Sequence, residues 1–106
     1  MDKTFFALSH PTRRVLLARV AAAAELTVGE AADGLGDSPS QITKHVRILE
    51  AAGLVARRRD GRTHRLRFDP APIDEALGWL ARHRAFWSGR LDALADHLDA
   101  QERADG

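Results

Sequence analysis

The chain has 106 residues, 44% hydrophobic and 29% charged, with a formal net charge of +1, which suits one small domain that folds. It contains no cysteine, and that excludes disulfides, thiolate metal sites, thiol redox sensing and cysteine nucleophiles together. No apolar run approaches the roughly 18 residues of a membrane span, and the opening MDKTFFALSHPTRR lacks the apolar core and small-residue cleavage site of a signal peptide, so the expected location is the cytoplasm.

In chain order, Phe5, Phe6 and Leu8 suggest a short apolar first helix. Ser9-His10-Pro11 interrupts it, because the residue before a proline avoids helical angles. A second helix is expected from Pro11 to about Ala23, with His10 at its start and Val15, Leu16 and Val20 on its buried side. Thr27, with Glu30 three residues on, forms a capping box for a short third helix whose apolar side is Val28, Ala31, Ala32 and Leu35. Gly34 and Gly36 stop that helix.

Residues 38–50, SPSQITKHVRILE, read as a fourth helix with a well-marked start. Ser38 and Gln41 make a second capping box, and Pro39 occupies the first helical position, where its missing N–H costs nothing. Ile42, Val46 and Leu49 are spaced four and three apart and form one stripe. The other face carries Ser40, Gln41, Thr43, Lys44 and Arg47. Gly53 ends the helix.

LVARRRDGRTHRLRF, residues 54–68, reads as a hairpin turning at Asp60-Gly61. His64, Leu66 and Phe68 alternate with Thr63, Arg65 and Arg67, so one strand face is apolar and the other cationic. Pro70 and Pro72 close it. From Pro72 to about Asp99 one long helix is expected, with Ile73, Leu77, Leu80, Arg84, Trp87, Leu91, Leu94 and Leu98 in alternating four-three spacing and Trp79, Phe86 and Ala93 beside them. That apolar face is too broad for one neighbour. One side is expected against Phe5, Phe6 and Leu8, the other against the same helix of a second copy, giving Phe5, Phe6, Leu8, Leu80, Trp87, Leu91, Leu94 and Leu98 as the candidate dimer interface.

The expected fold is therefore mainly α with a small β-hairpin wing: a winged helix-turn-helix in a single domain over 1–106, with terminal helices forming a dimer interface. The helix-turn-helix spans about 27–52, the wing 54–68 and the dimerisation helix about 72–99. Small Ala32 lets the paired helices approach, Gly36 makes the turn, and Ile42 plugs between them.

Charge is unevenly spread along this order. Residues 1–53 hold six cations and six anions, residues 54–68 six arginines against Asp60 alone, and residues 69–106 four cations against eight anions. A basic centre with an acidic tail suggests one surface facing a polyanion and another facing away. A helix projecting from such a pair fits the major groove, where Gln reads adenine, Lys guanine, and Ser or Thr either. Arg57, Arg58, Arg59, Arg62, Arg65 and Arg67 suit flanking phosphate or minor groove. For a lone basic helix, solvated surface is the ordinary reading. Here helix, turn and basic hairpin fall in the right order, so the expected partner is double-stranded DNA.

ALSHPTRRVLL (7–17), ELTVGEAADGLGDSPSQITKHVRILEAAGLV (25–55) and RRRDGRTHRLRF (57–68) resemble the ArsR family of bacterial transcriptional repressors. The resemblance implies a homodimer that represses a promoter and lets go when an inducer binds. It also implies that Ser40, Gln41, Thr43, Lys44 and His45 face DNA. With the neighbouring polar groups the candidate DNA-binding set is Ser38, Ser40, Gln41, Thr43, Lys44, His45, Arg47, Arg58, Arg59, Arg62 and Arg65. Thr27-Val28-Gly29 stands where founding members of the family carry a Cys-Val-Cys metal motif, so a soft-metal site of that type is excluded. A second family site binds zinc through Asp, His and Glu on the last helix. His83, Asp96, His97 and Glu102 are present there, but without a facing Asp-x-His pair, so surface or interface histidines are the ordinary reading and no metal is expected.

HRAFWSGRLDALADHL (83–98) resembles a metal-independent subgroup often encoded beside lipid-binding-type proteins, which implies an organic inducer of unknown kind or none, and no cofactor. The alternatives are a zinc-responsive repressor and a winged-helix module binding an acidic protein. Against the latter, the outward Ser40, Gln41, Thr43 and Lys44 offer no apolar anchor. No Ser-His-Asp order, paired buried carboxylates or phosphate-cradling glycine loop points to an enzyme.

Overall fold

Arg13, Leu16, Leu17 and Val20 recur at helical spacing, and all four are buried, which makes them the inner face of the second helix. The stripe expected from the sequence is rotated by one position: Val15 is 40% exposed and Leu17 is inside. The rotation follows from Arg13. A charged residue hides the true face, yet this one is satisfied where it lies. Its Nε donates to the Ala7 carbonyl (2.8 Å) and its Nη2 to the Phe6 carbonyl (3.0 Å), while Arg14 Nη1 donates to the Leu8 carbonyl (2.8 Å). The Ala7 and Leu8 carbonyls are ones that the end of the first helix leaves without intrahelical partners, and the Phe6 carbonyl also accepts from the Ser9 backbone N–H and hydroxyl.

The computed structural model describes residues 1–105, except the side chains of Phe86, Trp87, Leu91 and Asp105. Its elements are α1 (Asp2–Leu8), α2 (Pro11–Ala22), β1 (Leu26–Thr27), α3 (Val28–Ala32), α4 (Pro39–Ala51), β2 (Val55–Asp60), β3 (Thr63–Phe68), α5 (Ala71–Arg82) and α6 (Arg84–Asp105). They fall into two compact units, Met1–Ala76 and Leu77–Gly106. The first holds the helix-turn-helix and the wing. Its core joins Leu16 and Val20 of α2 to Ala31 of α3, to Ile42, Val46 and Leu49 of α4, and to Leu54, Val55 and Leu66 at the wing's base.

Both capping boxes form as their sequences predict, Thr27 with Glu30 and Ser38 with Gln41. His10 takes the N-cap of α2, its ring Nδ1 accepting from the Thr12 backbone N–H at 3.1 Å. Gly34 and Gly36 take φ of 74° and 78° between α3 and α4, a region that side-chain-bearing residues rarely adopt.

The hairpin differs from expectation in two ways. Asp60 pairs with Thr63, so the two loop residues are Gly61 and Arg62, one position later than expected. Only Gly61 has positive φ (62°), the pattern of a type II′ turn, in which glycine takes the first central position. A third strand also joins: Leu26 and Thr27 pair with Leu66 and Arg65, giving an antiparallel sheet in the order β1-β3-β2.

The long C-terminal helix is broken at His83. Its backbone N–H is shared between the Trp79 and Leu80 carbonyls, both at 3.2 Å, and its ring Nδ1 lies 2.8 Å from the Trp79 carbonyl. The ring also stacks on Trp79 at 4.4 Å. A side chain entering the helical hydrogen-bond ladder is a recognised cause of such breaks. Within the second unit, Leu77, Leu80, Leu94 and Leu98 are exposed.

The corrected face of α2 gives a direct test. Leu16→Ala should cost about 2–5 kcal/mol in urea unfolding, and Val15→Ala less than about 1 kcal/mol. Equal losses would contradict the assignment of Leu16, and not Val15, to the core.

Candidate nucleic-acid interface

The start of α4 is organised by its own side chains. Ser38 Oγ accepts from the Gln41 backbone N–H (3.3 Å), and Gln41 Oε1 accepts from the Ser38 backbone N–H (3.0 Å). Ser40 Oγ lies 3.2 Å from Ser38 Oγ, and the Thr43 hydroxyl donates to the Pro39 carbonyl at 2.9 Å. Burial of Ile42, Val46 and Leu49 turns the opposite side outward, where Ser40, Gln41, Thr43, Lys44 and Arg47 are all exposed. Lys44 and Arg47 make no ion pair among the described residues. Gln41 is constrained more than its sequence suggests. Bidentate reading of adenine needs its side-chain oxygen, which the cap already uses, so base reading and capping compete.

His45 departs from the resemblance-based expectation. It is 9% exposed and lies on the inner side of α4 with Ile42 and Leu49, three and four residues away on the helix. Its Nδ1 is 3.2 Å from Arg13 Nη1, its Nε2 3.4 Å from Asp37 Oδ2, and its ring 4.5 Å from that of His10. Because a guanidinium only donates, the consistent form is neutral, with a lone pair on Nδ1 and the proton on Nε2 facing Asp37. Burial lowers its pKa first, the neighbouring His10 and Arg13 add to that, and Asp37 opposes it.

The wing arginines do not form one free cationic face. Arg57 donates through Nε and Nη2 to Glu50 on α4 and places Nη1 3.2 Å from His64 Nδ1. Arg58 donates to Glu25 at 2.7 Å, and Arg59 Nε donates to the Gly61 carbonyl at 3.2 Å. Arg65 Nε lies 3.5 Å from Asp60 Oδ2 and has no hydrogen-bond partner among the described residues. Arg58 and Arg65 are direct cross-strand partners, a like-charge pair that Glu25 and Asp60 offset. Arg62 at the turn and Arg67 are exposed and without an ion pair among the described residues.

α4 and the wing share a cleft of about 420 Å³, lined by Thr27, Val28, Gly29 and Thr43 on one side and Arg57, Arg62, Thr63 and His64 on the other. A second cavity of about 430 Å³ lies at the other flank of α4, lined by His10, Thr12, Asp37, Gln41, Lys44 and His45. Among the described residues no group of three or more His, Asp or Glu is placed to hold a metal ion. No helix there is long and apolar enough to cross a membrane.

A capped helix with one buried stripe, presenting hydroxyls and a lysine beside an arginine-tipped hairpin, is the DNA-binding half of a winged helix-turn-helix regulator. A family model described as a helix-turn-helix domain matches residues 8–58. The HTH-type transcriptional regulator Rv2034 of Mycobacterium tuberculosis is 31% identical over 94% of this chain and 90% of its own. The solved structure of an ArsR-like transcriptional regulator from Rhodococcus sp. RHA1 is 33% identical, covers 88% of this chain and 87% of its own, and superposes with a TM-score of 0.69. A further ArsR family transcriptional regulator is 29% identical, covers 82% and 89%, and reaches a TM-score of 0.75. The chain belongs to the ArsR family of winged helix-turn-helix transcriptional regulators, which are not enzymes.

The depressed basicity of His45 makes stability proton-dependent. Above the ordinary imidazole value of 6.5, folded and unfolded chains are both neutral at this site. As pH falls through that value the unfolded chain binds the proton first, so folding weakens with acid. Thermal melting in steps from neutral to mildly acid pH should show Tm falling more in the wild type than in His45→Asn. Parallel curves would contradict a neutral His45 in the fold.

Proposed function

We propose that this regulator is a sequence-specific homodimeric repressor that places the outward face of α4 in the major groove and the wing tip on flanking backbone. The observation that carries the reading is the exposed set Ser40, Thr43 and Lys44 on α4, with Thr43 and Arg62 of the hairpin turn lining one cleft. Ser and Thr can serve either base edge and Lys favours guanine. Arg47 and Arg62 supply phosphate contacts, which fix register without reading sequence. Ser38 and Gln41 act chiefly by holding the helix start, His45 by packing, and the paired Arg58 and Arg65 less than Arg62.

One such helix reads too few base pairs to find a promoter among many competing sites, which favours two copies on half-sites about 10–10.5 bp apart or a multiple of that. The surface for pairing is apolar: Phe5 and Phe6 in the first unit are 42% and 58% exposed, and Leu80, Leu94 and Leu98 in the second are 40–53% exposed. Leu8 packs against the core of its own chain and contributes less. Trp87 and Leu91 of the expected interface lie outside the described side chains. Release would follow an organic inducer or a change in protein level, since the chain has no thiolate for a soft metal.

Two measurements test this reading. Arg62→Ala should weaken specific and random duplex about equally and flatten the salt dependence of log K by about one unit, with Arg58→Ala changing it much less. An unchanged slope for Arg62→Ala would remove the wing tip from the phosphate. Leu94→Asp combined with Leu98→Asp buries charge at a partner's apolar face and should yield a monomer by light scattering that has lost specific binding. A variant that stays dimeric and binds normally would remove α6 from the interface.

A further inference from the structure

The cavity at the start of α2 has a wall that the DNA-reading role does not use. His45 stands between Asp37, the residue before the N-cap of α4, and Arg13 of α2. Arg13 is itself immobilised: two of its nitrogens donate to carbonyls of α1, and its guanidinium lies 5.2 Å over the Phe6 ring. The first two turns of α4, which carry Ser40, Gln41, Thr43 and Lys44, thus have a polar tie to α2 through one imidazole, beside the apolar burial of Ile42.

Resting on the reading of α4 as the DNA-reading helix, we propose that His45 is a positioning residue for specific DNA recognition, and that protonating it uncouples the base-reading turns from α2. In the neutral ring the Nδ1 lone pair takes an N–H of Arg13, and Nε2–H faces Asp37. A proton on Nδ1 sets a donor against a donor and a cation against a cation. Arg13 cannot yield by losing its own proton, and its other nitrogens are committed to α1. The part left to move is His45 with the start of α4.

The groups that face His45 from each packed element are His10 and Arg13 of α2, Asp37 of the turn, and Gln41 and Lys44 of α4 itself. Asp37 alone favours the protonated ring; burial, His10 and Arg13 disfavour it. His10 accepts from the Thr12 N–H in the N-cap and lines the same cavity. A displaced helix start loses base contacts while keeping its charge. Specific binding should therefore fall with acid, whereas attraction to random duplex should hold or rise with the added positive charge.

The test uses a duplex selected from a random-sequence pool by the wild-type protein at about neutral pH, and an unselected duplex of equal length. The ratio of their affinities is measured between about pH 7.5 and about pH 5.5, the range over which imidazole titrates. For the wild type it should fall by about tenfold, equivalent to about 1.4 kcal/mol of specificity. His45→Asn places an amide oxygen where Nδ1 stands, accepts from Arg13 without titrating, and should keep the ratio nearly constant, while His10→Asn, which retains a capping side chain, should still lose it. A constant wild-type ratio, or an equal fall in His45→Asn, would overturn the proposal. If His45→Asn does not fold, the wild-type imidazole is followed by NMR: the selected duplex should hold His45 neutral to lower pH than the unselected one, and identical titrations would overturn the proposal. Failure to bind either duplex at about pH 7.5 would instead overturn the DNA-binding reading, so the two failures are distinguishable.

Discussion

Ile42, Val46 and Leu49 are 6%, 0% and 1% exposed, and their burial decides which residues of α4 can meet anything outside. Each such side chain contributes about 1.5–3 kcal/mol when fully removed from water, far more than the outward hydroxyls and lysine gain from any one orientation. Rotating α4 by one position toward Thr43 would expose this stripe and turn the charged Arg47 and Glu50 inward, which is strongly unfavourable. The outward face is therefore a consequence of the core, and the core is a consequence of the four-three spacing.

The ends of α4 were readable for the same local reason. A capping box and a proline at the first helical position are short-range devices whose partners lie within four residues, and Ser38, Pro39 and Gln41 behave accordingly. Features that depend on distant partners were not readable. Arg13 and His45 are polar members of apolar faces, and nothing in the sequence marks them as inner, because their partners are carbonyls of α1 and each other. Strand β1 is two residues long, too short for alternation to show. The break at His83 needs a ring reaching its own helix's carbonyl, and the hydrophobic spacing runs through it without interruption. At the hairpin the sequence marks Gly61 but not its place in the turn, because only one central residue there takes positive φ.

The wing shows the limit of counting charge. Six arginines against one aspartate suggest a uniformly cationic edge, yet Arg57 and Arg58 are held by Glu50 and Glu25, which lie outside the hairpin. The Arg58 side chain is exposed, and surface pairs such as its own contribute little stability, with a median of about 0–1 kcal/mol. Their effect is geometric: the pairing of Arg57 with Glu50 and its contact with His64 tie the wing to the end of α4, leaving Arg62 at the tip beside the cleft. A sequence shows how many charges are present, and only the fold shows which of them remain available to a phosphate.

The most direct test of the account is a backbone amide NMR titration of the isotope-labelled protein with duplex DNA at neutral pH. The account predicts shifts concentrated at Ser40, Thr43, Lys44 and Arg47 and at Gly61 and Arg62, with the inner residues Val46 and Leu49 little affected. Shifts confined to surfaces away from the first two turns of α4 and the hairpin tip would contradict it.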